Sequence, residues 1–396
     1  MKIGLVTGEY PPMEGGVGAF TQELAQAMAD LGHEIHIITS KAVRPEPEKR
    51  RRVGQIFEPV DLGFALLHPR IKKWRWSALS EVVDVAIRYE LDIINIQYQA
   101  AAYHMGSAAI NFLPWRLKHV LKTAVTFHDL RVPYLFPKAG GLRKTAVHFM
   151  AKQAHGAIAT NTQDYDALTQ LRKGFVCQIP IGSNIETYTP NHIEIAEARE
   201  LSGVSDGDCL LGYFGFLNES KGANTLIAAL AQLPTTTHLV FIGGQTGASD
   251  PDNNQSFLGQ LHQQIKDLGL ANRVHWTGFV DDQRVSTFLN AADMMVMPYR
   301  DGVSLRRGTL MAALAHERPL ISTFPQMPTP ELVHGENCWL VPVDDAAALT
   351  QAVQTLSADP DLRARLEVGA TAVADLFTWD KIAAQTIHFF QEILAQ

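Results

Sequence analysis

Short apolar segments alternate with helical stretches along most of the chain, and this alternation narrows the folds open to it. In the first half the segments are KIGLVTG, HEIHIIT, LDIINIQY, TAVTFHD, GAIATNT and FVCQIPIG. In the second half they are CLLGYFGF, THLVFIGG, RVHWTGF, ADMMVMPY, RPLIST and CWLVPV. Strands that alternate with helices are typical of βαβ units, whose strands lie parallel in one sheet. The sequence therefore predicts an α/β fold.

The alternation lapses between residues 185 and 207, and this lapse predicts two domains. The stretch is polar and contains Pro190, so we expect a linker with a small helix. A chain of 396 residues is also too long for one ordinary core. We place the first domain at 1–190 and the second at 191–377. The remaining segment, 378–396, is predicted to be an amphipathic helix that could pack on either domain.

Composition and charge exclude several classes of protein. A formal net charge of −7 gives no reason to expect a nucleic-acid partner. No run of about 18 apolar residues exists, so no segment is expected to span a membrane. The three cysteines are far apart and lack the spacing of a metal or redox site. Because the N-terminal stretch MKIGLVTGEYPP also lacks the apolar core of a signal peptide, we expect reduced thiols and a cytoplasmic location.

A glycine-rich turn, GEYPPMEGGVGAF, joins the first strand to the first helix. Gly15 and Gly16 would let a ligand approach the backbone, and the N–H groups at a helix start attract anions. The turn lacks the Gly-Lys-Ser/Thr of a P-loop and the third glycine of a dinucleotide-binding fingerprint. A phosphate or sugar phosphate is the expected ligand, and a tight turn without a ligand is the alternative.

A similar turn, YFGFLNESKGANTLIAAL, opens the second domain. Its strand ends at Gly215, and a helix begins near Gly222. Lys221 stands at the helix mouth, where a cation opposes the helix dipole. That placement favours an anionic ligand, and an exposed turn lysine is the alternative.

Residues 41–76 form a basic segment with ten Lys and Arg against four Asp and Glu. Within it, HPRIKKWRW adds Trp74 and Trp76. Cations beside aromatic side chains suit an anionic membrane surface or a phosphorylated lipid acceptor. The alternative is a solvated loop.

The chain as a whole resembles the GT-B retaining glycosyltransferases of family 4. The resemblance begins with YPPMEGGVGAFTQELAQAMADLGHEIHIIT, continues with TFHDLRVPY, and includes YFGFLNESKG, which is similar to the family's phosphate loop. WTGFV, AADMMVMPY, LMAALAHERPLIST and FTWDKIA follow in the family's order and spacing. The ordered set, more than any single block, carries the resemblance.

This resemblance implies a GT-B fold, in which two Rossmann-like parallel-sheet domains face each other across a cleft. The last helix would pack back on the first domain. The implied reaction moves a sugar, with retained anomeric configuration, from a nucleotide-diphosphate sugar to a lipid, saccharide or small-molecule acceptor. The donor would lie mainly on the second domain and the acceptor on the first. Neither a metal nor another cofactor is expected, because protein cations and helix starts stabilise the leaving diphosphate.

In the first domain, the resemblance implies that Gly15 and Gly16 approach the donor phosphate or the acceptor. His128 would contact the transferred sugar. The alternative for His128 is a histidine at a strand end that bonds only to the backbone.

In the second domain, the resemblance places Gly215 and Lys221 in the phosphate loop, where Lys221 would hold the diphosphate. Gly243 and Val280 would flank the nucleotide base. These four residues are therefore expected to line the donor site.

Three positions depart from the family's pattern. The phosphate loop has Phe216 where the family has Arg. The family also carries a pair of glutamates, and Ala312 stands at the second of these positions. Ser304 stands at the first, unless the longer preceding turn makes Asp301 its replacement.

Arg306 and Arg307 lead to a hypothesis about the missing cation. They precede a helix start at Gly308 and Thr309, beside the expected position of the donor diphosphate. Arg can hold a phosphate through two parallel hydrogen bonds. We therefore expect the pair to replace the Arg that is missing at Phe216, and structural ion pairs are the alternative.

Two other functions stay open at this point. A non-catalytic GT-B protein that binds nucleotide or glycan would account for the missing glutamates, whereas His128 and Lys221 speak against it. A nucleotide-sugar epimerase would need paired carboxylates, and the only candidates are the acids of HDL and RDG. Glycosyl transfer is the leading interpretation.

Overall fold

The computed structural model of the chain describes residues 1–13, 15–43, 58–103, 107–130, 140–244 and 251–396. They divide into two units. Unit 1 comprises Met1–Ile181 and Trp379–Gln396, and unit 2 comprises Gly182–Thr378. The chain enters unit 2 before the boundary placed at residue 190, because the segment after Gly182 already contacts helices of unit 2. The backbone N–H of Tyr188, for example, donates to Oγ of Ser286 at 2.9 Å.

Unit 1 is built on an eight-stranded sheet. Its strands are β1 (Lys2–Thr7), β2 (Glu34–Ser40), β3 (Val60–Asp61), β4 (Leu66–Ile71), β5 (Ile93–Tyr98), β6 (Lys122–Phe127), β7 (Gly156–Ala159) and β8 (Val176–Gln178). Among the described residues these strands lie in the order β3-β4-β2-β1-β5-β6-β7-β8, and only the β3–β4 pair is antiparallel. Because β1, β5 and β6 are consecutive neighbours, the loops that follow them lie at the same edge of the sheet.

Unit 2 is built on a six-stranded parallel sheet. Its strands are β9 (Cys209–Phe214), β10 (Thr237–Ile242), β11 (Val274–Trp276), β12 (Met294–Met297), β13 (Leu320–Thr323) and β14 (Trp339–Val341). They run in the order β11-β10-β9-β12-β13-β14. From β9 to β11 each new strand is added on one side of β9, and from β12 onward each is added on the other side. The strand order therefore reverses between β9 and β12. Ligands of such sheets bind outside the carboxyl ends of the strands at this reversal.

Thirteen α-helices of the described residues connect and cover these strands. They are α1 (Gly16–Asp30), α2 (Trp76–Arg88), α3 (Leu113–Leu117), α4 (Gly140–Gln153), α5 (Thr162–Leu171), α6 (His192–Leu201), α7 (Ala223–Leu230), α8 (Pro251–Asp267), α9 (Asp282–Ala291), α10 (Gly308–Ala315), α11 (Ala346–Ala358), α12 (Pro360–Ala374) and α13 (Trp379–Leu394). Short 3₁₀ helices lie at Lys41–Val43, Ala100–Ala102, Ala109–Phe112, Glu219–Lys221 and Asp375–Phe377. No helix within these described ranges is long and apolar enough to cross a membrane.

The small helix predicted in the linker is α6, and a capping box starts it. The side chain of Asn191 accepts from the N–H groups of Ile193 and Glu194. The carboxylate of Glu194 in turn accepts from the N–H of Asn191 at 2.8 Å. This reciprocal pair satisfies N–H groups that have no partner inside the helix, so the sequence around Asn191 fixes where α6 begins.

Alternate residues of the unit 1 strands bury opposite faces of the sheet. On β5, Ile93 packs with residues of α1 and α13, whereas Ile94 packs with residues of α2, α3 and α4. α13 covers β7 closely. An added Cβ on Gly156 would lie 2.3 Å from Cδ1 of Ile393 and 2.8 Å from Cε1 of Phe389. The last helix therefore completes the core of the unit that begins the chain.

β4 is a strand that the sequence analysis did not predict. Its segment, LLHPRI, contains Pro69 and Arg70, which are unusual in a strand with neighbours on both sides. Arg70 is compensated by two carboxylates of α2, with Nη2 at 2.9 Å from Glu81 and Nη1 at 2.6 Å from Asp84. The pairing of β4 with β2 and β3 therefore outweighs the weak strand preference of its own sequence.

The expectation that both tryptophans of residues 41–76 face a membrane is wrong for Trp74. Its side chain is buried in the core of unit 1, with its ring centre 4.8 Å from that of Tyr103. Trp76, by contrast, is 60% exposed. Residues 44–57 of this basic segment lie outside the described residues.

Candidate functional site

The candidate donor site of unit 2 lies at the carboxyl edge of its sheet, where β9 and β12 are neighbours. β9 ends at Phe214 and leads through Gly215 into the 3₁₀ turn Glu219–Lys221. β12 ends at Met297 and leads through a turn into α10. Because the two strands are parallel and adjacent, both turns lie at the same edge of the sheet.

Two glycines allow these turns to approach each other closely. Gly215 has φ +114°, and an added Cβ would lie 2.6 Å from Cγ2 of Thr309 and 3.4 Å from Nζ of Lys221. Gly222 has φ +71°, and an added Cβ would lie 1.9 Å from the carbonyl oxygen of Pro298. Both conformations belong to the left-handed region that favours glycine. The predicted site residues Lys221 and Thr309 are thereby brought together around Gly215.

Lys221 is a cation in a poorly solvated position. Burial, reinforced by the neighbouring guanidinium of Arg307, lowers the pKa of Lys221 to about 8, and Asp301 opposes this shift. At neutral pH the ammonium group is still protonated, but it lacks the hydration of an exposed lysine. A bound anion would supply interactions that burial has removed.

Arg307 belongs to the same cluster and is already held by protein groups. Its Nη2 donates to Oδ1 of Asp301 in an ion pair, and its guanidinium carbon lies 4.1 Å from the ring centre of Tyr299. Its Nε is buried and lacks a hydrogen-bond partner in the part of the chain that the structure describes. The hydroxyl of Tyr299 lies 3.4 Å from Oγ1 of Thr309. Asp301 would therefore compete with a bound phosphate for Arg307.

The start of α10 has no side-chain cap among the described residues. Gly308 is its first residue, Arg307 precedes it, and an added Cβ on Gly308 would lie 3.1 Å from Oδ1 of Asn184. The N–H of Arg307 donates to the carbonyl oxygen of Ser304 at 3.3 Å, which closes the turn before the helix. Arg306 is half-buried in this turn. The N–H groups of a first helical turn are the kind that donate hydrogen bonds to phosphate oxygens in other proteins.

Ala312, at the second glutamate position, lies inside the core of unit 2. Its side chain is fully buried, and its carbonyl oxygen accepts from Nδ1 of His316 at 2.7 Å. Of the two candidates for the first glutamate position, Ser304 is uncharged and Asp301 is paired with Arg307. Neither position therefore supplies a carboxylate without a cation partner.

Gly243 and Val280, the predicted neighbours of the base, follow the adjacent strands β10 and β11. Gly243 has φ +99°, and its N–H donates to Oγ1 of Thr277 at 3.0 Å. It also pairs with Gly278 in an isolated bridge. Val280 is half-buried in the same turn. The two predicted residues thus belong to turns that are joined by hydrogen bonds.

Two phenylalanines also lie at this edge. Phe216, which replaces the family's Arg, packs beside Gly244, where an added Cβ would lie 3.0 Å from Cε1 of Phe216. Phe279 is 77% exposed. The sequence analysis did not select Phe279. The feature of the sequence that could have identified Phe279 is a large apolar side chain directly after Gly278, in a turn.

In unit 1, His128 follows β6 and joins a buried polar network. Its Nε2 lies 2.9 Å from Oε1 of Gln97, and Gln97 donates to Oδ1 of Asn95. Asn95 donates to Oγ1 of Thr126 at 3.0 Å. Burial lowers the pKa of His128 to about 4, so its imidazole is neutral at pH 7. Since Oε1 of Gln97 accepts a hydrogen bond, we infer that Nε2 carries the proton and that Nδ1 is an acceptor.

The surroundings of His128 include residues that the sequence analysis missed. Phe20 of α1 packs edge-on against the imidazole at 4.6 Å between ring centres, and Trp379 packs against Phe20 at 5.2 Å. The alternative of a histidine bonded only to the backbone is wrong, because Gln97 holds its side chain. The sequence could have indicated this network through Asn95 and Gln97, which are polar residues inside the otherwise apolar strand segment LDIINIQY.

The glycine-rich turn of unit 1 holds a carboxylate that the chain itself supplies. Oε1 of Glu9 accepts from the N–H groups of Val17 at 3.0 Å and Gly18 at 3.3 Å. An added Cβ on Gly15 would lie 2.1 Å from this carboxyl group, whereas the space around Gly16 is open among the described residues. Burial raises the pKa of Glu9, and the two hydrogen bonds oppose that rise. Two of the N–H groups that were expected to attract an anion are therefore already bound by Glu9.

No group of three or more His, Cys, Asp or Glu in the described ranges is arranged to hold a metal ion. The polar side chains at the two sheet edges are instead cations, amides, hydroxyls and single carboxylates. Such groups bind charged and hydroxyl-bearing ligands.

Two family models match the chain. The model described as Glycosyltransferase Family 4 matches residues 14–184, and the model described as Glycosyl transferases group 1 matches residues 208–359. The first range lies mostly in unit 1, and the second lies within unit 2.

Relatives match along nearly the whole chain. The D-inositol 3-phosphate glycosyltransferase of Jonesia denitrificans is 23% identical over 405 residues, which cover 95% of this chain and 91% of that protein. The phosphatidyl-myo-inositol mannosyltransferase of Mycolicibacterium smegmatis is 23% identical over 410 residues, which cover 99% of this chain and 94% of that protein.

The fold also matches solved structures. The structure of HepE from Anabaena, in complex with UDP and glucose, has a TM-score of 0.75 at 21% identity, covering 99% of this chain and 100% of that one. The predicted GT-B fold class is confirmed. The chain belongs to the group 1, family 4 glycosyltransferases, and it is a glycosyltransferase.

Proposed function

We propose that the protein transfers a sugar from a nucleotide-diphosphate sugar to an acceptor hydroxyl, with retention of configuration and without a metal ion. The observation that carries this proposal is the cation cluster of Lys221 and Arg307 around Gly215 and Thr309, at the uncapped start of α10. The HepE structure contains UDP and glucose, and this supports a donor of the same class.

The cluster addresses the main difficulty of the reaction, which is departure of the nucleotide diphosphate. Negative charge grows on the β-phosphate oxygen as its bond to the anomeric carbon breaks. Preorganised cations and backbone N–H groups stabilise that charge. The acceptor oxygen bonds to the anomeric carbon on the face that the phosphate leaves, and the departing phosphate oxygen takes the acceptor's proton. No protein nucleophile is then required.

We assign the other predicted residues to the same reaction. Arg306 would assist Arg307 at the diphosphate, and Gly243 and Val280 would flank the base. His128 would accept a hydrogen bond from a hydroxyl of the transferred sugar through Nδ1, because Gln97 holds the opposite nitrogen. A neutral imidazole suits this role, since it adds no charge beside the sugar.

The open space at Gly16 makes it a candidate for contact with the donor phosphate or the acceptor. The acceptor classes that we propose are a lipid, a saccharide or a small molecule with a hydroxyl group. The inositol phosphate and phosphatidylinositol in the names of the relatives support an acceptor of this kind.

We place the protein in the cytoplasm at an anionic membrane surface. Exposed Lys72, Lys73, Arg75 and Trp76 support this placement, because cations beside an interfacial aromatic residue attract anionic lipids. Among the described residues of 41–76, they combine exposed cations with an exposed tryptophan.

A donor screen tests the proposal. Purified protein is mixed with UDP-, GDP- and ADP-sugars in the presence of a chelator, and both binding and slow hydrolysis are measured. Tight binding of one donor, with release of its sugar in the original anomeric form, is the expected result. If no nucleotide sugar binds, or if hydrolysis appears only when a metal is added, the proposal is wrong.

A further inference from the structure

Three segments of unit 1 carry Lys and Arg but no Asp or Glu. They are residues 72–76 (KKWRW), 113–122 (LPWRLKHVLK) and 140–153 (GGLRKTAVHFMAKQ), and each contains three Lys or Arg. We name them together the basic face. The two acidic residues of the adjoining α2 are both ion-paired with Arg70. Since the formal net charge of the chain is −7, positive charge is concentrated in this part of unit 1.

The three segments are neighbours on one side of the sheet. The ring of Trp76 lies 5.1 Å from that of Phe112, which directly precedes the second segment. Phe112 in turn lies 4.9 Å from Phe149 of the third segment. Beneath these rings, Leu113 and Val147 are buried in the same core. The basic face is therefore a continuous surface.

Large apolar side chains are exposed among these cations. Trp76 is 60% exposed, Trp115 is 53% exposed and Leu142 is 79% exposed, and each comes from a different segment. Lys73 and Lys144 are exposed beside them. Folding alone favours burial of such apolar side chains, so their joint exposure on one charged surface indicates an interaction site.

We infer that the basic face docks on the surface of a membrane that contains anionic lipids. Each Lys or Arg near such a surface strengthens binding about fivefold, which corresponds to about 1 kcal/mol. Tryptophan rings settle at the level of the lipid headgroups, and leucine enters the boundary with the acyl chains. A soluble polyanion would neutralise the cations but would leave Trp115 and Leu142 in water, so the observations favour the membrane.

This inference rests on the placement at an anionic membrane surface proposed above and deepens it, since it names the face of unit 1 that makes the contact. Two of the three segments lie outside the basic segment 41–76, and none of the three belongs to the donor site of unit 2. Membrane binding is measured without donor or acceptor. Failure of this inference therefore leaves the proposed reaction untouched, and failure of the donor screen leaves this inference untouched.

Vesicle flotation tests the inference. The full chain is mixed with vesicles of phosphatidylcholine alone and of phosphatidylcholine with phosphatidylglycerol. We expect binding only to the anionic vesicles, with an affinity that falls as salt is added. The variant Lys144→Gln with Lys152→Gln should bind about 30-fold more weakly, from two losses of about fivefold. The variant Trp115→Ala should also bind more weakly at equal charge.

The matched control removes two charges elsewhere. Lys266→Gln with Lys381→Gln changes exposed lysines of α8 and α13 and should keep the wild-type affinity for vesicles. Circular dichroism confirms that each variant is folded. The inference is wrong if the wild type does not bind anionic vesicles at low salt, or if the control loses as much affinity as the basic-face variant. It is also wrong if a soluble polyanion binds as tightly as vesicles and Trp115→Ala changes neither affinity.

Discussion

Single residues set the charge balance of the candidate donor site. Lys221 and Arg307 are cations within one cluster, and Asp301 is the anion that keeps this cluster from being fully positive. A bound diphosphate would compete with Asp301 for Arg307 and would raise the pKa of Lys221. The affinity for a nucleotide sugar should therefore depend on the protonation of Lys221 and on the Asp301–Arg307 pair.

Lys221 makes donor binding sensitive to pH. Its pKa in the free protein is about 8, so the cation is present below that pH and is lost above it. We expect the affinity for the donor to fall as pH rises above about 8, because binding must then take up a proton. Isothermal titration calorimetry on either side of this pH measures the effect.

Two variants at this position separate charge from fold. Lys221→Gln should bind the donor roughly 10- to 150-fold more weakly near neutral pH, the loss of one hydrogen bond to a charged group. Lys221→Arg should retain binding to higher pH, because Arg stays protonated. An unchanged pH profile in Lys221→Arg would contradict the assignment.

Arg307 and Asp301 should have opposite effects on donor binding. Arg307→Ala should weaken binding at least about tenfold, because it removes a charge-assisted contact with phosphate. Asp301→Asn should strengthen binding a few-fold, on the order of 1 kcal/mol or less, because it removes the competing anion. Titrations of both variants and of Arg306→Ala measure these changes. Wild-type affinity in both arginine variants would show that these residues serve only the fold.

At the scale of elements, the donor site depends on how closely two turns approach. The turn after β9 and the turn after β12 meet at Gly215 and Gly222, where a side chain would overlap Thr309 and Pro298 respectively. Neighbouring parallel strands determine that the turns share an edge. The two glycines determine that the distance between them is small enough for one ligand to touch both.

Gly222→Ala should therefore destabilise unit 2 more than an ordinary left-handed glycine substitution would. The new Cβ adds overlap with the Pro298 carbonyl to the strain of a positive φ, and we expect a loss of about 3 kcal/mol in the free energy of unfolding. Gly207→Ala is the matched control, since Gly207 has φ +88° and open space around it among the described residues. It should lose about 1 kcal/mol, the cost of the left-handed conformation for a residue with a Cβ. Urea unfolding of both variants measures the difference, and equal losses would contradict this account.

Elements differed in how well the sequence predicted them. Each segment predicted as a strand contains one, because Val, Ile and Leu cluster where both faces of a parallel strand are buried. β4 was missed, since Pro69 and Arg70 give it no such pattern and its partners lie on β2 and α2. The cap that Glu9 provides for α1 was also missed, because the residue reaches across a turn to N–H groups eight and nine positions away.

At the scale of the whole molecule, buried neutral histidines tie stability to pH. Burial lowers the pKa of His68 to about 3 and that of His128 to about 4, and it also lowers the pKa of His36. His68 and His36 lie 3.0 Å apart between Nε2 and Nδ1, so both cannot be charged together without repulsion. Unfolding frees all three to bind protons.

The free energy of unfolding should fall as pH falls below about 6.5, the ordinary pKa of histidine. The unfolded chain binds protons from there downward, whereas folded His68 binds none until about pH 3. For His68 alone the loss reaches roughly 2 kcal/mol at about pH 5. Urea midpoints at several pH values measure this, with His68→Gln expected to show a shallower slope and the exposed His192→Gln to show the wild-type slope. A midpoint that does not change with pH would contradict the prediction.

The sequence selected residues within each of two local blocks, and the sheet brings the blocks together. Gly215 and Lys221 come from the first block and Thr309 from the second, and these three meet in the structure. The pairing of Arg307 with Asp301 and the hold of Gln97 on His128 depend on three-dimensional geometry that spacing does not encode. Their functional roles stay predictions until the donor experiments are made.

The last helix has a consequence for how the protein is made. α13 covers β7 and completes the core of unit 1, yet it follows all of unit 2 in the chain. Domains fold as units when their residues have emerged from the ribosome. Unit 2 therefore has every residue it needs while unit 1, begun first, still lacks its cover over Gly156. The nascent chain passes through a stage in which an apolar face of the earlier unit is a natural target for chaperones.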